Sequence, residues 1–126
     1  MADEKKVLLV EDDKFLRETL AKKLIANGLD AQAAVDGKNA LEMLKTFTPE
    51  LVLLDLLLPD IDGFAVLSEM KKDPKFTPVP VIVLSNLYNP DDIQKAKGLG
   101  AKDFIVKSNF TLNEIVNRAK STLGIA

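Results

Sequence analysis

Four short apolar runs recur along the chain, and each closes on a polar or charged residue. Val7 to Val10 leads into Glu11-Asp12-Asp13, Leu51 to Leu54 into Asp55, Val79 to Leu84 into Ser85, and Phe104 to Val106 into Lys107. Continuous runs of this length, bounded by turn residues, predict strands buried on both faces of a parallel sheet. A fifth, weaker strand is expected at Leu29 to Val35, where alanines replace large side chains and an edge position suits the pattern.

Helical spacing fills the intervals. Phe15, Leu16, Leu20, Leu24 and Ile25 recur on one face of a helix predicted from about Lys14 to Asn27, and Gly28 stands where a left-handed C-cap is preferred. Asp36-Gly37 reads as a turn before a second helix over Asn39 to Phe47, and Thr48-Pro49 breaks the chain. A third helix is predicted from Phe64 to Lys72, stopping before Asp73-Pro74. Asn89-Pro90 pairs an N-cap with proline at the first helical position, opening a fourth helix that ends at Gly98 or Gly100. Thr111-Leu112-Asn113-Glu114 is a capping box for a last helix to about Leu123.

Five strands alternating with five helices imply right-handed crossovers and a doubly wound α/β fold of the flavodoxin-like kind. For four strand ends to share one edge, strands one, three, four and five must be near neighbours. The order 2-1-3-4-5 meets that condition, with the cleft between strands one and three.

Composition removes whole classes of chemistry. There is no cysteine and no histidine, so disulfides, thiolate catalysis and imidazole chemistry are excluded, and any metal must be held by oxygen. A net charge of −2 with no basic run gives no footing for nucleic acid. The polar start, Met1 to Lys6, carries no apolar signal region, and no apolar run reaches membrane-spanning length. At 126 residues a single domain over 1–126, located in the cytoplasm, is expected.

Each candidate has a plain alternative. Asp13 precedes a helix and is best read as its N-cap. Asp60 and Asp62 lie in a polar loop and read as turn residues. Glu11 and Asp12 are different: two adjacent acids leaving a strand repel each other unless a cation offsets them. Ser85 and Lys107 gain meaning from standing at equivalent ends of successive strands. The whole set is suited to a divalent cation, an acyl phosphate and its counter-charge.

Val10-Glu11-Asp12, Leu54-Asp55 with Pro59 and Gly63 beyond it, Ser85 and Lys107 together resemble the receiver domain of bacterial two-component response regulators. The resemblance runs from about Lys5 to Leu123. It implies that Asp55 accepts a phosphoryl group, that Glu11, Asp12 and Asp55 bind Mg²⁺ with the Leu57 main-chain carbonyl, and that Ser85 and Lys107 meet the phosphoryl oxygens. Ser85 and Phe104 stand where the family keeps its switch residues. A histidine kinase or phosphotransfer protein would be the donor and a downstream protein the target, without nucleic acid or membrane. The chain would be no enzyme in the ordinary sense, and a monomer or weak phosphorylation-dependent dimer.

Three residues depart from the family's usual pattern. Ser108 stands where proline commonly follows the lysine, often across a cis bond; before serine that isomer would cost about 3 kcal/mol. Asn86 replaces a small residue, and Ser85 a threonine. In receivers the side chains two positions after the acceptor and two after the Ser/Thr flank the approach of water, so the resemblance implies that role for Leu57 and Leu87, and Leu87 with Tyr88 should respond to phosphorylation. Other readings remain: a small phosphatase of the haloacid-dehalogenase type, although there the nucleophile precedes the acid pair; a receiver fragment of a longer regulator; and a binding module that no longer accepts phosphate.

Overall fold

The computed structural model describes residues 4–86 and 89–125. Leu87 and Tyr88, and with them the expectations placed on both, lie outside the described residues, as do Met1 to Asp3. The elements follow in the order β1 (Lys6–Val10), α1 (Lys14–Ala26), β2 (Asp30–Ala34), α2 (Gly37–Met43), β3 (Leu51–Asp55), α3 (Gly63–Lys72), β4 (Val81–Ser85), α4 (Pro90–Gly98), β5 (Asp103–Val106), a 3-10 turn (Lys107–Asn109) and α5 (Leu112–Thr122). All strand pairs are parallel and the order is β2-β1-β3-β4-β5. The expected architecture is the one observed.

Period-two alternation splits each central strand between two cores. Val7 and Leu9 face one side with Leu20 and Leu24 of α1 and Ile115, Val116 and Ala119 of α5. Leu8 and Val10 face the other, against Ala40 of α2, Val66, Leu67 and Met70 of α3, and Ala96 of α4. Both faces of β1, β3 and β4 are therefore apolar, and only their ends are free to carry polar chemistry. Leu51 to Leu54 and Val81 to Val83 are fully buried; at about 25 cal/mol per Å² such burial is the main force holding the strand ends in place.

The helix ends follow their caps. Asp13 accepts from the Leu16 N–H, Asn89 from the Asp92 N–H, and Thr111 with Glu114 forms the reciprocal box. Gly28 has φ +86 as a C-terminal glycine should. Several boundaries differ from expectation, those of α2 most. α2 starts at Gly37 rather than Asn39, because Asp36 is its N-cap, accepting from the Asn39 N–H, and not a free turn residue. It also ends at Met43 instead of Phe47. β4 begins after Pro80, whose carbonyl accepts from the Val52 N–H; proline serves at the strand's entry through its acceptor alone.

Candidate functional site

Register brings the strand ends together. Val10 pairs with Leu54 and Asp55 with Leu84, while Ser85 pairs with Val106, so Glu11, Asp55, Ser85 and Lys107 reach the same carboxyl edge. Glu11, Asp55 and Ser85 are buried there, whereas Asp12 is exposed.

Lys107 spans the cluster. Its Nζ lies 2.5 Å from Glu11 Oε1 and 2.9 Å from Asp55 Oδ2. The second Asp55 oxygen, Oδ1, accepts from the Leu57 N–H at 3.1 Å, and Glu11 Oε2 accepts from the Asp13 N–H at 3.1 Å. Burial pushes the Glu11 carboxyl above its ordinary range, against the pull of Lys107 and the Asp13 N–H. Burial equally disfavours the Lys107 ammonium, but its hydrogen bonds to Glu11 and Asp55 outweigh that, and its pKa is raised. One ammonium thus answers two buried carboxylates, with Asp12 a third acid beside them.

Carboxylate oxygens of Glu11, Asp12 and Asp55 lie within 4.8 Å of one another. An all-oxygen donor set of this size, short of positive charge, fits a hard divalent cation that keeps some of its waters. Gly63 gives the site its floor: a Cβ there would meet the Asp55 carbonyl oxygen and come within 2.6 Å of Leu56 Cα. The Gly63 N–H donates to the Leu56 carbonyl at 2.9 Å, closing α3 onto the end of β3.

The response regulator receiver domain family matches residues 7–120. The chain belongs to that family. Among its relatives, the probable transcriptional regulator ycf27 of Porphyridium aerugineum is 37% identical over 118 residues, which is 94% of this chain and 48% of that protein. The phosphorylated cyanobacterial phytochrome response regulator RcpA is similar at 35% identity and a TM-score of 0.81, over 94% of this chain and 91% of that one. The Mn²⁺-bound form of response regulator Rcp1 is 30% identical with a TM-score of 0.81, over 94% of each chain. The chain spans about half the length of the curated relatives it matches. It is a receiver domain, a module of two-component signalling.

The receiver's remaining expected residues fall as follows. Phe104 is half-buried and packs against the core beside α2, α3 and α4. Leu57 is 55% exposed at the mouth of the site. Among the described residues no peptide bond is cis, so Lys107-Ser108 is trans. Asp60 and Asp62 prove to be more than turn residues. Asp62 caps α3 by accepting from the Ala65 N–H, and Asp60 accepts from the N–H groups of Gly37 and Lys38, at 2.9 and 2.8 Å, at the start of α2.

Sequence reasoning missed one residue, Arg17, and one pairing, Asn86 with Ser108. Arg17 Nη1 donates to the carbonyls of Glu11 and Asp12 at 3.0 and 3.1 Å. Its place one turn into an amphipathic helix carried no signal for this, since charge on a solvent-facing helical position is ordinary. Asn86 Oδ1 accepts from the Ser108 N–H at 3.1 Å; the two were visible as unusual residues but not as a pair. Among the described residues no helix is long and apolar enough to cross a membrane.

Proposed function

We propose that this receiver domain is a phosphorylation-driven switch with Asp55 as the acceptor. The observation that carries the reading is the Asp55 carboxylate itself. It is buried at the carboxyl edge, held by the Leu57 N–H and the Lys107 ammonium, and within 4.8 Å of Glu11 and Asp12 oxygens. The donor is a phosphohistidine of a kinase or phosphotransfer protein. An Asp55 oxygen attacks phosphorus, the phosphorus–nitrogen bond breaks, and the imidazole leaves with the electron pair and takes up a proton.

The residues divide the work. Glu11, Asp12 and Asp55, with the Leu57 carbonyl, would hold Mg²⁺, as the Mn²⁺-bound Rcp1 supports for a divalent ion generally. The bound cation supplies charge neutralisation at the phosphoryl oxygens. Lys107 is already at Asp55 and pairs with a phosphoryl oxygen once the carboxylate has become the acyl phosphate. Ser85, at the end of β4, donates to another.

The output surface is the face of α4, β5 and α5. Movement of Ser85 toward the phosphoryl group frees space beside β4, and half-buried Phe104 turns inward, a two-state packing change biased by a local charge. A downstream protein then reads that face, the chain acting in the cytoplasm as a monomer or weak dimer, alone or within a longer regulator.

The deciding experiment is reaction with acetyl phosphate and Mg²⁺ read by mass. Wild type should gain about 80 Da and Asp55→Asn nothing, since the amide keeps the shape but cannot form the acyl phosphate. Labelling of the Asn variant would overturn the assignment. Turnover of a phosphomonoester, which a receiver should not show, would favour the phosphatase reading instead.

A further inference from the structure

Two of the positions at which this chain departs from the usual receiver pattern touch each other. Asn86 Oδ1 accepts from the Ser108 main-chain N–H at 3.1 Å. Proline at 108 would have no N–H to give, and alanine or glycine at 86 no side-chain oxygen to take it. Each residue is the condition for the other's contact.

The position of the bond is what matters. Ser85 opposite Val106 is the last pair of the β4–β5 ladder. Asn86 directly follows the hydroxyl residue, and Ser108 directly follows Lys107. The Asn86 side chain therefore carries the pairing of the two strands past the end of the sheet, over the stretch that holds both groups facing the phosphoryl site. Lys107 is anchored at its tip by Glu11 and Asp55. Phosphorylation of Asp55 converts that partner and obliges the ammonium to re-aim, so Glu11 at its tip and the main chain behind it are the anchors that remain.

We propose that Asn86 is a positioning residue: by holding the Ser108 N–H it fixes the spacing between Ser85 and Lys107 when a phosphoryl group binds. This rests on the reading of Asp55 as acceptor. Both Asn86 and Ser108 are exposed, so the bond adds little to global stability. Its effect belongs to the loaded site.

The test is a titration of the full chain with beryllofluoride and Mg²⁺, followed by amide shifts, beside thermal melting of the same variants. Asn86→Ala should bind the phosphoryl analogue about fivefold more weakly, the size of one modest hydrogen bond, with a nearly unchanged melting temperature. Ser108→Ala keeps the N–H and should bind as wild type. Ser108→Pro removes it, and adding Asn86→Ala to Ser108→Pro should weaken binding no further. Should the proline variant fail to fold, the contrast between Asn86→Ala and Ser108→Ala still decides. Unchanged affinity in Asn86→Ala, with or without a lower melting temperature, overturns the proposal, as does equal weakening in Ser108→Ala or additivity in the double variant. Wild-type binding by Asp55→Asn would overturn the acceptor reading and this inference together. If Asp55→Asn fails to bind while Asn86→Ala binds normally, only the inference falls.

Discussion

The Arg17 guanidinium holds the main chain at Glu11, donating from Nη1 to its carbonyl at 3.0 Å and to that of Asp12 at 3.1 Å. A cation on the first turn of α1 thereby fixes the backbone from which two acidic side chains project, and does so without touching their oxygens. Arg17→Met should lower Mg²⁺ affinity about tenfold, the scale seen when a group that orients ligands is lost. Arg17→Lys should restore part of it, since one ammonium can donate to both carbonyls as Nη1 does, but on a more flexible stem without the rigid guanidinium plane. Calorimetric Mg²⁺ titration checks this; equal affinity in the methionine variant would make Arg17 a simple helix–loop tie.

Asp12 is the exposed member of the acidic group. Asp12→Ala should reduce Mg²⁺ affinity by more than about tenfold, yet leave metal-free stability equal or higher, because a like charge beside Glu11 and Asp55 is removed. Urea melts with and without Mg²⁺ separate the two effects by linkage. A metal-free variant much less stable than wild type would show that Asp12 acts chiefly in the fold.

The lifetime of the aspartyl phosphate should be long. Leu57 stands two residues after the acceptor, 55% exposed at the mouth, and its side chain cannot orient a water for in-line attack. Leu57→Asn, alone and with Leu87→Glu, should speed decay after donor removal. Tenfold acceleration would need only about 1.4 kcal/mol off the barrier, within reach of one positioned hydrogen bond. A double variant that decays at the wild-type rate would show that access at these positions does not limit hydrolysis.

A separate expectation concerns acid. Desolvation raises the Asp60 carboxyl, but the backbone N–H groups of Lys38, Ile61 and Gly37 outweigh it and hold it at about 2, below an ordinary value of 3.8. A carboxyl depressed on folding stabilises the fold above its unfolded value, and that contribution is lost as pH falls through the folded one. The stability gap between wild type and Asp60→Asn should therefore be constant above about pH 4 and close between pH 4 and 2. Denaturant titrations at several pH values test it; a gap that persists at pH 2 would mean the charge is irrelevant to the tie.

Much of this receiver was legible because local rules and the fold agree. Runs such as Leu51 to Leu54 have no stable place except a doubly covered strand, and the residue that ends each run must then lie at one edge. That placed Glu11, Asp55, Ser85 and Lys107 before any coordinates. Caps are equally local: Asp13, Asn89 and the Thr111–Glu114 box act within three residues of themselves. What the tertiary structure alone decided lies between segments distant in the chain. Asp60 reaches back 23 residues to Gly37, Asn86 forward 22 to Ser108, and Lys107 back 96 to Glu11. No periodicity encodes such pairs, because they depend on how loops of neighbouring strands meet after the sheet has formed. Charge and hydrogen-bonding capacity are written in the sequence; which partner satisfies them is set by packing.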